Sequence, residues 1–183
     1  MLKLAIPKID LWDEKKEEFY SIKPQVLQFE HSLVSISKWE SKWHKPFLSK
    51  LKKDEKTKEQ VESYYECMCM TSNVDPLTFK YMPQSCRKEI ENYISDSMTA
   101  TWFSEKENQK HSSRIVTSEL IYCWMISLGI PVEFQKWHLN RLMTLIRVCN
   151  SENSQGKKMS QNEIYKRNRA LNEARRKAGH TRG

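Results

Sequence analysis

The chain has 183 residues, of which 38% are hydrophobic and 30% charged, with six Trp, seven Tyr and six Phe. That is enough apolar material for one core, and it excludes wholesale disorder. The formal charge of +8 is unevenly placed: from Ser151 to Gly183 nine Lys or Arg face three Asp or Glu, so this tail carries +6 and the first 150 residues only +2.

No stretch approaches the roughly 18 consecutive apolar residues of a membrane span. "MLKLAIPKIDLWDEKK" has only a short apolar run followed by charge, unlike a signal peptide. The five cysteines, at 67, 69, 86, 123 and 149, are odd in number and sit among apolar neighbours, which predicts reduced, mostly buried thiols in a cytosolic protein.

In chain order, Leu2, Leu4 and Ile6 alternate with Lys3 and Ala5 and predict a short strand. "DLWDEKKEEFY" sets Leu11, Trp12 and Phe19 at roughly helical spacing after Asp10, an acceptable N-cap, and predicts a helix. "QVLQFEHSLVSIS" reads as a second strand with Val26, Leu33, Val34 and Ile36, although its phase slips and implies a bulge or turn. Trp39, Trp43 and Phe47 then recur at i, i+4 and i+8 on one helix face, with Pro46 bending or interrupting it.

A further helix is expected near the capping residue Thr57, with Val61, Tyr64, Tyr65, Met68 and Cys69 inward. "TSNVDPLTFKYMPQSC" predicts a loop with one helical turn, and a helix from Ser85 buries Ile90, Tyr93 and Ile94. "SMTATWF" has the composition of a short strand, and residues 104–113 that of an exposed loop. "SELIYCWMISL" is apolar nearly all round, as suits a helix in the middle of a bundle; Gly129 ends it, and Pro131 begins one continuous helix over 131–149. After the polar linker "NSENSQGKKMSQ", Ser160 and Glu163 form a capping box for a last, basic helix.

These readings sum to a mainly α protein. A helical core domain over 1–150 carries a small β element near its N-terminus, and 151–183 forms a polar linker and a mobile basic helical arm.

No catalytic or cofactor pattern emerges. There is no GxSxG elbow, four glycines do not build a phosphate-cradling loop, and the carboxylates of "DEKKEE" and "EIE" lie in solvated runs. Cys67 and Cys69 are one residue apart rather than two to four, and His44 and His111 each stand alone, so no metal site is expected. His138, between Trp137 and Leu139, reads better as a partly buried histidine bonded to a chain atom than as an acid or base.

The 117–149 pair resembles a helix-turn-helix in outline. Phe134, Trp137, Leu142, Leu145 and Ile146 crowd its second helix, leaving Gln135, Lys136, Asn140, Arg141 and Arg147 outside, as a phosphate grip or as the basic exterior of a core helix. The arm carries Lys166, Arg167, Arg169, Arg175, Arg176 and Lys177 over little more than Ile164, Tyr165 and Leu171. At about 25 cal/mol per Å² that apolar area holds it weakly to a core, so it is expected to move until a partner supplies contacts. The partner's chemistry stays open between phosphates and an acidic protein groove.

"LQFEHSLVSISKWESKWHKPFLS", "MTATWF", "EFQKWHLNRLMTLIRVCN" and "RNRALNEARRKAGHTRG" together resemble tail assembly chaperone-like proteins of siphovirus-type tailed bacteriophages, a likeness running from about Leu27 to Gly183. The resemblance implies a non-enzymatic factor in the host cytoplasm, without cofactor, that coats the tape measure protein until tail tube subunits displace it. A homo-oligomer is compatible with that role.

The residues expected to bind protein are Trp39, Trp43, Phe47 and Trp137 as groove lining, with Arg141, Arg167, Arg169, Arg175 and Arg176, while Trp12 and Trp102 are assigned to the core. The alternatives are a nucleic-acid-binding regulator using the arm or the 117–149 pair, and an adaptor or inhibitor that docks on a host protein.

Overall fold

A computed structural model describes residues 1–13, 17–49, 55–103, 115–155 and 161–179. The protein is mainly α with a small N-terminal β element. Met1–Arg147 and Val148–Gly183 form two compact units.

Strand β1 (Leu2–Ile6) pairs antiparallel with β4 (Gln25–Phe29), Leu4 opposite Leu27 and Leu2 opposite Phe29. Alternation puts Leu4, Ile6, Leu27 and Phe29 in the core and turns Lys3, Ala5 and Val26 outward. Between them, β2 (Ile9–Asp13) and β3 (Glu18–Ile22) form a hairpin. The helix expected after Asp10 is therefore absent. The seven-residue separation of Trp12 and Phe19 that mimics helical periodicity is also that of a cross-strand pair, and the turn between the strands holds Glu17 at φ +53°.

The run that looked like a slipped strand is a strand followed by a helix. After Phe29, Ser32 accepts from the Ser35 amide and Ser35 returns the bond, a capping box that opens α1 (Leu33–Trp43). Leu33 and Ile36 thus enter the core from a helix. His44, at φ +52°, ends α1 two residues before Pro46. Thr57 caps α2 (Lys58–Met68), as the sequence anticipates, and Gln60 returns the bond to complete a capping box. The chain leaving α2 lies along β4: the Met70 amide donates to the Gln28 carbonyl at 2.8 Å, and the Glu30 amide to that of Met68 at 3.0 Å.

Asp75 and Pro76 start the single helical turn α3 (Pro76–Lys80), followed by α4 (Gln84–Ser95). The strand expected in "SMTATWF" does not form. The Asp96 carboxylate and Thr99 hydroxyl accept from the amides of Met98 and Thr101, local bonds that replace a ladder, and Met98 stands at φ +50°.

Helix α5 (Ser118–Ser127) closes at Gly129, φ +65°, with the Ile130 amide donating back to the Met125 carbonyl at 2.9 Å. It lies at the edge rather than in the middle of a bundle: Ser118, Ile121 and Met125 are buried, whereas Cys123 is exposed and Ile126 is 76% exposed.

The predicted continuous helix over 131–149 is broken. A 3-10 helix (Val132–Lys136) ends at an extended Trp137, and α6 (Leu139–Gln155) begins beyond it. The break has a tertiary cause, since His138 bridges to Ser32 and the Leu139 amide donates to the His31 carbonyl at 2.7 Å.

In the second unit, α7 spans Gln161–Gly179, and its described side chains, 165–176, are exposed. The expected box of Ser160 and Glu163 lies outside the described side chains, as does the 104–113 loop. Among the described residues no helix is long and apolar enough to cross a membrane.

Candidate polypeptide-binding surfaces

Trp39, Trp43 and Phe47 are brought together, but as a seal between α1 and α2. Trp39 is 1% exposed and its indole N–H donates to the Gln60 carbonyl at 2.8 Å. Phe47 folds back from beyond Pro46 to meet Trp39 edge-on at 5.1 Å and Tyr64 at 4.1 Å. Half-buried Trp43 donates to the Ser63 hydroxyl at 3.1 Å, and the Lys56 ammonium lies 4.3 Å from the Phe47 ring centre.

Buried Glu40 fixes the return by accepting from the amides of Phe47 and Ser118, each at 2.7 Å. Trp39 is thus corrected from groove lining to core: helical spacing says which residues share a face, not whether a later segment covers that face. The core assignments of Trp12 and Trp102 are corrected in the opposite direction, at 52% and 92% exposed.

Half-buried Trp137 stacks on Phe134 with centroids 4.0 Å apart, and the exposed Arg141 guanidinium lies 4.2 Å over the indole. Asn140, expected to face outward, donates its amide to the carbonyls of Ile94 and Asp96. The first turn of α6 is thereby tied to the chain after α4 instead of offering several free side chains to base edges. Arg167, Arg169, Arg175 and Arg176 are exposed on α7, where Arg169 pairs with Glu173 at 3.4 Å.

Sequence reading missed a groove of about 450 Å³ walled by Met1, Val34, Cys67, Met68 and Met70, with Lys38 and Lys136 among its lining residues. Three elements position it: Val34 comes from the first turn of α1, Cys67 and Met68 from the end of α2, and Met70 from the segment on β4. Met68 is buried beneath it, while Met1 and Met70 stay exposed. Glu30 anchors one end by taking the Met1 ammonium at 3.0 Å and the Tyr93 hydroxyl at 2.6 Å.

Burial raises the Cys67 and Cys69 thiols above their ordinary range, so they remain protonated and act as small apolar groups. The available signal was "CMCM" itself, since a helix that ends inside that string divides its sulfur atoms between core and surface.

His31, the residue after Glu30, belongs to a buried polar cluster. His31 Nδ1 is 2.5 Å from the Tyr64 hydroxyl and its ring centre is 5.0 Å from that of His138, whose Nε2–H donates to the Tyr93 carbonyl at 3.0 Å. His138 is the chain-bonded histidine that the sequence suggests. Because a carbonyl only accepts, His138 Nδ1 is the unprotonated nitrogen, and it has no partner among the described residues.

Desolvation, then the neighbouring His138, pushes His31 down to about 3, and desolvation also lowers His138 against the opposing pull of the Tyr93 carbonyl. Both imidazoles are neutral at physiological pH and join the link between β4 and α1 to the start of α6. Among the described residues no group of three or more His, Cys, Asp or Glu could hold a metal ion. No family model matches the chain, and neither the curated proteins nor the solved structures yield a match.

Proposed function

We propose that this protein is a tail assembly chaperone of a siphovirus-type bacteriophage, which binds the tape measure protein in the host cytoplasm and keeps it soluble until tail tube subunits polymerise. The observation that carries the reading is the methionine-walled groove beside β4. Methionine is flexible and polarisable, so such a surface accommodates different apolar side chains in succession, as a coat on a long, varied helix requires. A client helix would set anchors from one face, at i, i+3 or i+4, into the groove, and its acidic residues toward Lys38 and Lys136. No bond is made or broken in this role. Weak contact per copy, summed over adjacent copies, gives a coat that holds and can still be stripped.

Co-expression with the tape measure protein of the same phage tests this reading. The soluble yield of the client should rise severalfold, and an unchanged yield contradicts the proposal. A host-protein adaptor would instead capture a defined protein from uninfected cells and leave the tape measure protein insoluble.

A second reading, a nucleic-acid-binding regulator, is favoured by the exposed Lys166, Arg175 and Arg176 of α7. It requires duplex DNA affinity that falls steeply with salt, at a log–log slope set by the phosphates neutralised. A shallow slope, or no binding at low salt, removes it.

A further inference from the structure

The β2–β3 hairpin has two unlike faces. On the inner face Ile22 is buried and the Tyr20 hydroxyl donates to the Asp75 carboxylate at the start of α3. The outer face carries Asp10, Trp12, Phe19 and Ser21, because the register pairs Asp10 with Ser21 and Trp12 with Phe19. The two rings meet edge-on at 4.8 Å yet remain 52% and 75% exposed. Asp10 is held beside them by the Ser21 hydroxyl and by Lys8 at 2.9 Å. From Ile9 to Ile22 the chain has five acidic residues against two lysines, a net charge of −3, and Glu17 and Glu18 are exposed.

Helix α7 has the complementary character. Its 19 residues hold six Lys or Arg against two Glu, a net charge of +4, and its apolar Tyr165 and Leu171 are 76% and 46% exposed. Leu171 and Arg175, four residues apart, share a face of the helix. Arginine laid over an aromatic ring is a contact that occurs twice among the described residues, Arg141 over Trp137 at 4.2 Å and Arg147 over Phe103 at 4.1 Å.

We infer that the outer face of the β2–β3 hairpin is the docking site for helix α7 of a second copy of this chain, with Leu171 on the Trp12–Phe19 pair and Arg175 beside Asp10. The occupant follows from opposite charge matched to apolar content on both sides. Trp12 and Phe19 are exposed on the first unit and Leu171 on the second, and the contact covers all three. Such a contact joins unlike surfaces, so it closes when two copies exchange arms or propagates head to tail when they do not. It rests on the charges and rings themselves and holds whatever the groove binds.

Sedimentation of the full chain tests the inference. Wild type should exceed the monomer mass of 21.9 kDa, rise with concentration and return toward 21.9 kDa as salt is added. The double variants Trp12→Ser/Phe19→Ser and Arg175→Glu/Arg176→Glu change exposed residues, so each should keep its helical circular dichroism and sediment as a monomer. Mixed in equal amounts, the two should form a dimer and nothing larger, because one intact hairpin meets one intact arm. A wild type that stays at 21.9 kDa, a variant that keeps the wild-type mass, or a mixture that stays monomeric overturns the inference. So does an arm variant that loses only DNA binding.

Discussion

Two aromatic clusters, Trp39 with Phe47 and Tyr64, and Trp12 with Phe19, consist of the same kinds of ring at similar distances. The first is sealed because three chain segments converge on it: α1, α2 and the return after Pro46, which Glu40 clamps. The second lies on a two-stranded ribbon whose outer face no other described segment of the first unit covers. The difference teaches that burial here depends on the number of converging elements rather than on local apolar content. The sealed cluster serves stability, and the open one is where we infer association.

The comparison breaks most visibly at Trp39. Trp39→Ala should destabilise the fold by about 3–5 kcal/mol, through the cavity it leaves and the lost bond to Gln60, as read from denaturant midpoints. Acidification should act next. His31 and His138 have folded-state values below the ordinary 6.5, so below that pH the unfolded chain binds more protons than the folded one. Their contribution is intact above about 6.5 and is lost as pH falls toward 3, the value for His31. The expected loss is about 1.4 kcal/mol per pH unit from His31 alone; stability that stays flat between neutrality and about pH 5 contradicts this buried neutral pair.

Glu40→Ala strands the amides of Phe47 and Ser118 and should cost about 1–3 kcal/mol, while raising the accessibility of Trp39 to a fluorescence quencher. Smallest is the hairpin. Trp12→Ser with Phe19→Ser removes an exposed cross-strand pair, expected to alter stability by only about 0.2–1 kcal/mol. A loss as large as that of Trp39→Ala would erase the distinction.

Local chemistry made much of the fold legible. β1, the Thr57 cap, the Asp75–Pro76 turn, the helix near Ser85 and the Gly129 stop each depend on a few adjacent residues, and each forms as read. The failures share a tertiary cause. Residues 10–20 could pair as strands or coil as a helix until Trp12 had Phe19 opposite it, and the helix over 131–149 is interrupted where His31 and Ser32, between β4 and α1, claim the backbone around His138. Ser32 beginning a helix was readable from Ser32 and Ser35 but was obscured by the apolar residues around them.

The candidate site was harder to see than the fold. Trp39, Trp43 and Phe47 are neighbours as grouped, but Trp39 is buried rather than open, since no local pattern announces a covering segment. The groove draws Met1, Val34 and Met70 from three separate stretches of sequence.

The most direct measurement is the soluble yield of the tape measure protein co-expressed with wild type, with Val34→Glu/Met70→Glu, and with Trp12→Ser/Phe19→Ser. If the groove holds the client, wild type raises the yield severalfold, charges in the groove abolish the gain, and the hairpin variant retains part of it through weaker avidity. Equal yields with wild type and the groove variant, or no gain with any of the three, would contradict the account.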